Sequence, residues 1–285
     1  YKRQAQGKAS YAIFDQSTQM HTLEKIKFET DLRRALERGE FLLYFQPMVS
    51  TTDQHIMGLE ALLRWLHPER GLLLPIEFLP VAEETGVIDG LQKWVLQAAC
   101  RQMRIWKDLG LRPGRLVVNL TMQQFRRPDL ADEVARVLQG SRLDADELEL
   151  EIAETVFLET VDATVSVQKA LKNLGVNLSI DNFGMYYAAF SYLKLLPIDA
   201  LKIAKSFVDD VITDPYSAEI AKAIISLANS LGLRVVAEGV QTPAQLAFLR
   251  EHGCQGVQGV LFSPPVPADR IVELLRHGAF AIAAD

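Results

Sequence analysis

Polar residues recur at the ends of apolar segments in this chain, where they could form one reactive site. They are Glu60, Arg64, Asn119, Glu151, Glu154, Asp181, Asn182, Lys202, Glu238 and Gln258. A charged side chain inside an apolar segment is costly to bury unless it is paired or bound to a metal ion. Any one of them could be a satisfied polar residue of a core, but their recurrence on successive segments predicts a shared site.

Oxygen ligands dominate this set. The candidate metal ligands are Glu60, Asn119, Glu151 and Asp181. Such a set suits Mg²⁺, Mn²⁺ or Ca²⁺ rather than zinc. A cation held there could polarise a phosphoryl oxygen and generate hydroxide near neutral pH. Lys202 could stabilise developing negative charge, and Glu238 could act as a base or as a further ligand. The pattern therefore indicates a cation site that handles a phosphate ester.

Other kinds of active site find less support. The five histidines are predicted in loops or near helix ends, as surface or packing residues: His21, His55, His67, His252 and His277. The sequence contains no phosphate-binding loop of the G-x-x-x-x-G-K-[ST] type and no serine nucleophile elbow.

The elements that must position these residues alternate between short apolar strands and longer amphipathic helices. Strands are predicted at 41–49, 56–64, 115–120, 147–152, 176–181, 199–203, 233–237 and 255–260. Helices are predicted at 17–38, 76–84, 90–109, 129–139, 160–173, 217–231, 243–252 and 267–276. This alternation predicts an α/β fold, a closed (β/α)8 TIM-like barrel with its chemistry at the carboxyl ends of the strands. Only the segment from Ser50 to Gln54 separates the first two strands, so a hairpin with an antiparallel first strand is expected.

Three segments are expected along the chain. Residues 1–16 carry one short apolar run, Tyr11 to Asp15, which reads as the last strand of an upstream domain. Residues 17–38 form a connecting helix that either packs on the main body or transmits a signal. Residues 39–285 contain no linker-like stretch and form the barrel domain.

Composition limits the class of protein. The 285 residues carry a formal net charge of −6, and 49% of them are hydrophobic. This mildly acidic balance, without a block of basic residues, argues against a nucleic-acid-coating role. We find no apolar run long enough for a membrane segment and no signal peptide. The two cysteines, Cys100 and Cys254, are far apart and form no disulfide framework, which favours a cytoplasmic location.

Several ordered motifs resemble one known family. Glu60-Ala61-Leu62, followed by Leu63-Arg64-Trp65, is similar to the signature of the EAL domain, a family of cyclic di-GMP phosphodiesterases and receptors. The resemblance covers roughly residues 24–270. It includes the segments 44–47, 82–86, 118–121, 149–152, 192–194, 236–240 and 258–259. The first residues resemble the tail of a GGDEF-type (diguanylate cyclase-type) domain.

The resemblance implies a role for each site residue. Glu60, Asn119, Glu151 and Asp181 would hold a first Mg²⁺ or Mn²⁺ ion. Lys202, Glu238 and Glu60 would be catalytic, with Lys202 on the attacking water and Glu238 as base or metal partner. The ligand, cyclic di-GMP, would contact Gln46, Arg64, Gln258 and Gln241. Glu154 would anchor the loop after the fifth barrel strand, a loop that in this family also touches a dimer partner, so a homodimer is possible.

Departures from the family pattern affect the second metal. The family sequence Asp-Asp-Phe-Gly-Thr-Gly-Tyr reads Asp181-Asn182-Phe183-Gly184-Met185-Tyr186-Tyr187 here, and Leu-Lys-Ile-Asp ends in Ala204. Glu-Gly-Val-Glu ends in Gln241. Two carboxylates of the second metal site are therefore missing, because Asn182 and Ala204 stand in their places. Tyr186 replaces a glycine, which would alter the loop.

These departures leave three hypotheses. The first is a cyclic di-GMP receptor with weak or lost hydrolysis, and it is preferred. The second is an active metal-dependent phosphodiesterase that produces pGpG. The third is a protein-interaction scaffold that no longer binds the nucleotide.

Overall fold

Apolar segments of β-branched and aliphatic residues form the strands of the predicted barrel. The computed structural model describes residues 16–185, 193, 196–278 and 280, with side chains from residue 26 onward except those of 157–164. The strands are β1 (Phe41–Ser50), β2 (Ile56–His67), β3 (Gly71–Leu73), β4 (Arg115–Leu120), β5 (Leu148–Ala153), β6 (Asn177–Phe183), β7 (Ala200–Ile203), β8 (Arg234–Glu238), β9 (Gly256–Gln258) and β10 (Val266–Pro267). The predicted strand over 11–15 lies outside the described residues, as do Tyr186 and Tyr187.

Eight of these strands close the barrel. Neighbours follow the order β1-β9-β8-β7-β6-β5-β4-β2, and β2 returns to β1. The contacts from β2 through β4, β5, β6, β7 and β8 to β9 are parallel. β1 is antiparallel to both of its barrel neighbours, as predicted. The reason is the short hairpin, in which the Ser50 amide donates to the His55 carbonyl at 2.9 Å.

Amphipathic helices cover the barrel. They are α1 (Gln16–Arg38), α2 (Pro75–Glu84), α3 (Ile88–Asp108), α4 (Met122–Phe125), α5 (Leu130–Ser141), α6 (Glu154–Asn173), α7 (Lys205–Asp209), α8 (Pro215–Ser230), α9 (Pro243–Glu251) and α10 (Ala268–His277). Helix α1 packs on the barrel through Phe28, Leu32 and Ala35, which are buried, and the Phe28 ring lies 5.1 Å from that of Trp65. None of the helices within the described ranges is long and apolar enough to cross a membrane.

The structure extends or corrects several predicted elements. β2 continues to His67, so Glu60 and Arg64 lie inside this strand and not at its end. The cause is the added antiparallel strand β3, which pairs with residues 65–67. α6 begins at Glu154, six residues before the predicted start at 160. The short elements α4, α7 and β10 were not predicted, because too few residues are involved to show a period.

Ion pairs fix the amino-terminal end of the barrel. Arg234, the first residue of β8, donates to Glu149 of β5 at 2.5 Å. Lys172 of α6 lies 2.6 Å from Asp199, which in turn accepts from the Leu178 amide. These contacts stabilise the end of the barrel opposite to the polar residues described next.

Candidate functional site

Polar side chains from successive strands meet inside the carboxyl-terminal half of the barrel, around Lys202. Its ammonium lies 3.1 Å from Glu60, 2.9 Å from Glu151 and 2.6 Å from Glu238. Lys202 and Glu151 are fully buried, and Glu60 is 5% exposed. The residues come from β7, β2, β5 and β8, so only barrel closure brings them together. The structure thus brings together Lys202, Glu60, Glu151 and Glu238, all of which the sequence analysis had selected as candidate site residues.

Charge crowding dominates the electrostatics. Burial raises the pKa of Glu151 well above its usual range, and neighbouring Glu60 and Asp181 add to this against the opposing effect of Lys202. Burial likewise raises the pKa of Asp181 and of Glu238. Burial alone would lower the pKa of Lys202, but the surrounding carboxylates raise it well above 10.5. Lys202 therefore stays charged, and the cluster carries more carboxylates than one ammonium can neutralise.

Within the cluster around Lys202, Glu60 accepts hydrogen bonds from three side chains, those of Asn119, Lys202 and Gln258. Burial raises its pKa, but Lys202 and the hydrogen bonds from Gln258 and Asn119 lower it by more. Asn119 Nδ2 donates to Glu60 Oε1 at 2.7 Å, and Gln258 Nε2 donates to Glu60 Oε2 at 2.7 Å. Glu60 is therefore ionised and held in one orientation.

Asp181 is fixed by its own neighbour. Its two carboxylate oxygens accept from the backbone N and from the Nδ2 of Asn182, both at 2.7 Å. Asn182 has a φ of +54°, a left-handed conformation that asparagine adopts more readily than most residues. The side chain that replaces a carboxylate of the family pattern thus donates its amide to Asp181.

The predicted ligand-binding glutamines line one cavity. This cavity of about 460 Å³ opens beside Glu60 and Glu238, and Gln46, Gln241 and Gln258 lie in its wall. Gln46 accepts from Gln258 at 3.0 Å and donates to the Ser263 carbonyl at 3.1 Å. Its amide is therefore held at both ends.

Of the two remaining predicted ligand contacts, Gln241 lines this cavity, whereas Arg64 is not among its lining residues. Gln241 donates to Asp209 at 2.8 Å, which fixes it at the edge of the cavity. Arg64 lies on β2, where its guanidinium sits 5.3 Å from the centroid of the Tyr44 ring and donates to the Leu63 carbonyl at 2.8 Å. Burial lowers the pKa of Arg64, although Tyr44 and Glu60 oppose this effect. Sequence analysis included Arg64 among the predicted ligand-binding residues, but it did not predict the contact of Arg64 with Tyr44.

Comparison with known proteins identifies the family. The EAL domain model matches residues 29–265, which is most of the chain. The chain belongs to the EAL domain family. The bifunctional diguanylate cyclase/cyclic di-GMP phosphodiesterase MucR of Pseudomonas aeruginosa is 40% identical to it over 272 residues. The cyclic di-GMP phosphodiesterase NbdA of the same organism is 41% identical over 283 residues.

The two relatives are longer proteins. These alignments cover 95% and 99% of this chain but only 40% and 36% of the relatives, so the chain spans about two fifths of their length. Among solved structures, the PaMucR phosphodiesterase in complex with c-di-GMP superposes with a TM-score of 0.83 at 42% identity. That similarity covers 86% of this chain and 99% of the other. The c-di-GMP-bound FimX EAL domain of Pseudomonas aeruginosa gives a TM-score of 0.77 at 27% identity, over 85% of this chain and 96% of the other.

The site of this EAL domain has the donor chemistry that a hard cation requires. Glu151 Oε1 is buried and has no hydrogen-bond partner among the described residues. Buried carboxylate oxygens normally have a hydrogen-bond donor or a cation as a partner. A bound cation would provide this oxygen with one. Within the described part of the chain, however, no three acidic, histidine or cysteine side chains already converge as a metal cage. The carboxylates converge on Lys202 instead.

Two further polar side chains of this EAL domain stand at the first residues of helices, Glu154 on α6 and Lys205 on α7. Glu154, the first residue of α6, accepts a hydrogen bond from the Met185 backbone amide at 3.1 Å and so contacts the segment after β6. Lys205 also lines the cavity and pairs with Asp209, and sequence reasoning missed it. The available signal was its position two residues after β7, at the start of α7.

Proposed function

We propose that this chain binds cyclic di-GMP at the carboxyl-terminal end of the barrel and hydrolyses it weakly or not at all. The family membership and the two c-di-GMP complexes of similar EAL domains support the choice of ligand. The cavity beside Glu60 and Glu238 supplies amide groups for recognition, and Lys205 in its wall supplies positive charge for phosphates. Arg64, on the same strand as Glu60, would supply a second positive charge.

A divalent cation is part of this proposal, because EAL phosphodiesterases depend on one. Glu60, Asn119, Glu151 and Asp181 would hold Mg²⁺ or Mn²⁺, and the unpaired Glu151 oxygen supports this assignment. When bound, the cation would polarise a phosphoryl oxygen. Lys202 would position the attacking water and hold the carboxylates in place. Glu238 would accept a proton from this water. Burial raises the pKa of Glu238.

One observation carries the weak-hydrolysis part of the proposal. Ala204 is 2% exposed, and its side chain has no atom that could bind a metal ion. The side-chain amide nitrogen of Asn182 donates a hydrogen bond to Asp181. In two-metal sites the ions lie about 3.5–4 Å apart, and carboxylates must offset their repulsion. Without two of these carboxylates, a second ion is held weakly, and the attacking water loses one source of activation. Each lost 1.36 kcal/mol of transition-state stabilisation is about tenfold in rate.

An active phosphodiesterase is the second candidate. It is favoured by the identity of 40% to a relative named as a cyclic di-GMP phosphodiesterase. The positions of Glu60, Lys202 and Glu238 within one cluster are compatible with either function.

A hydrolysis assay with Mn²⁺ separates the candidates. Purified chain is incubated with cyclic di-GMP, and pGpG is followed by chromatography. We expect little or no turnover, and a rise in rate in the double variant Asn182→Asp/Ala204→Asp. Ala204 is the N-cap of α7, a position where aspartate is favourable, so this variant should fold.

The outcomes are distinct. Turnover of many cycles per minute by the unaltered chain would establish the phosphodiesterase and refute the receptor. A second bound metal in the double variant without added activity would show that the defect lies elsewhere. Calorimetry in Ca²⁺ that detects no nucleotide binding would leave only the scaffold. Glu60→Ala is expected to abolish metal binding, and unchanged metal affinity would contradict the ligand set.

We also propose an upstream domain and a homodimer for this chain. The helix that contains residues 17–38 would connect the barrel, 39–285, to an upstream GGDEF-type domain, of which residues 1–16 would carry the last strand. The loop anchored by Glu154 would contribute to a homodimer. Size-exclusion chromatography with light scattering, with and without cyclic di-GMP, tests the dimer.

A further inference from the structure

A second cavity lies between helices α3 and α5, away from the cluster around Lys202. Its volume is about 410 Å³, and its lining residues include Lys93, Gln97, Arg101, Glu133, Arg136 and Gly140. They belong to the two helices, and none of them lines the cavity beside Glu60. This volume is within the range of about 300–1,000 Å³ that is usual for small-molecule sites.

The spacing of the lining residues gives each helix one continuous face toward the cavity. On α3, Lys93, Gln97 and Arg101 follow one another at intervals of four residues. On α5, Arg136 and Gly140 are also four residues apart. Residues at this spacing are neighbours on a helix surface. A Cβ atom placed on Gly140 would meet nothing within 4 Å, so the glycine leaves the space open.

Glu133 supplies the second, independent observation. Its side chain is 3% exposed, and Arg127 donates to its Oε2 at 2.9 Å. Its Oε1 atom is buried and has no hydrogen-bond partner among the residues described. An unpaired buried acceptor is uncommon and calls for a specific explanation. A ligand with an N–H or O–H donor would satisfy it.

The charges around the cavity are positive overall. Lys93, Arg101 and Arg136 form no ion pair with any described residue, whereas nearby Arg104 pairs with Asp108. Three cations against the carboxylate of Glu133 attract an anion, but Glu133 would repel an anion that approached it directly. The ligand must therefore present an anionic group to the cations and a hydrogen-bond donor to Glu133.

We propose that the cavity between α3 and α5 binds a nucleotide, with its phosphate on Arg101, Arg136 and Lys93 and a base N–H group on Glu133. Guanidinium groups suit phosphate because they donate paired hydrogen bonds to it. The inference does not rest on the proposed function, since no residue of the cavity takes part in the cluster around Lys202.

Calorimetry on the 285-residue chain tests this site with GMP, ribose 5-phosphate and inorganic phosphate as probes. We expect GMP to bind at least about tenfold more tightly than inorganic phosphate, because GMP adds base N–H donors for Glu133 to its phosphate. Ribose 5-phosphate, which lacks the base, should also bind more weakly than GMP. Arg136→Ala should weaken GMP binding by about tenfold through loss of a charge-assisted hydrogen bond. Raising the salt concentration should weaken it as well.

Three further variants locate the site. Gly140→Leu fills the cavity with a good helix former and should abolish GMP binding without loss of thermal stability. Arg276→Ala is the matched control, since it removes an exposed positive charge from α10, and should leave binding unchanged. Arg64→Ala reports on the cyclic di-GMP site proposed above.

Each contrary result overturns the inference. GMP binding that survives Gly140→Leu but is lost in Arg64→Ala belongs to the proposed cyclic di-GMP site. Equal affinity for GMP and inorganic phosphate would reduce the site to an anion site and refute the nucleotide. Absence of GMP binding to the unaltered chain refutes it outright.

Discussion

Replacement of Lys202 by methionine tests the electrostatic account of the site most directly. In the unaltered chain one buried ammonium contacts Glu60, Glu151 and Glu238 at 3.1, 2.9 and 2.6 Å. Methionine has a similar shape but no charge, so Lys202→Met leaves these carboxylates with no counter-ion. The variant isolates the charge from the packing.

The magnitude follows from burial. Removing one partner of a buried ion pair typically costs about 3–5 kcal/mol, because the other charge stays buried without compensation. The Lys202 and Glu151 side chains are 2% and 0% exposed, while Glu238 is 22% exposed and keeps some hydration. We therefore expect the free energy of unfolding to fall by about 3–5 kcal/mol. With about 2–4 °C per kcal/mol for a domain of this size, Tm should fall by roughly 10 °C.

The loss should depend on pH in a defined direction. Burial alone would raise the pKa of Glu60, but Lys202 and the hydrogen bonds from Gln258 and Asn119 lower it below the ordinary value of 4.5. A carboxyl whose pKa is lowered by folding stabilises the protein above its unfolded pKa and loses that contribution as the pH falls through the folded pKa. The deficit of Lys202→Met should therefore be largest at neutral pH and shrink below about pH 4.5.

Thermal and urea unfolding followed by circular dichroism measure this effect. Lys222→Met is the matched control, because Lys222 also lies 2.9 Å from a carboxylate, that of Glu219, but both side chains are substantially exposed. The control should be almost unchanged, since exposed pairs contribute little. If Lys202→Met were as stable as the control at neutral pH, the ammonium would not be what neutralises the cluster. If the variant does not fold, the charge-conserving Lys202→Arg should recover folded protein, and its failure to do so would equally contradict the reasoning.

Further predictions concern the thiols and one glycine. Burial raises the pKa of Cys100 and of Cys254 to about 12, so neither should react with a thiol reagent at pH 8 until the chain is unfolded; rapid labelling of the native protein would contradict this. A Cβ atom on Gly259 would lie 2.0 Å from the Val240 carbonyl oxygen, so Gly259→Ala should lower the free energy of unfolding by at least about 1–3 kcal/mol. Gly140→Ala, whose Cβ meets nothing within 4 Å, is the control and should show no loss; equal melting of the two variants would refute the packing argument.

Much of the barrel could be predicted from local patterns. Leu116-Val117-Val118 and the apolar run before Glu238 identify buried parallel strands, and both strands were placed within one residue of β4 and β8. The short elements could not be predicted, since α7 and β3 contain only five and three residues. Pairing with residues 65–67 stabilises β3, and this contact is not visible in the residues themselves.

The sequence by itself determined which residues could do chemistry. Their types, their spacing by one strand and one helix, and the substitutions at Asn182 and Ala204 are local information, and they are enough to propose a cation site with a weakened second position.

Only the tertiary structure decided how these residues interact. Barrel closure places Lys202 between Glu60, Glu151 and Glu238. Those distances depend on strand register and stagger, which no single segment encodes. The pKa shifts have the same origin, because burial and neighbouring charge arise only when distant strands meet. The sequence thus identified the candidate residues, and closure of the barrel determined the distances and charges around them.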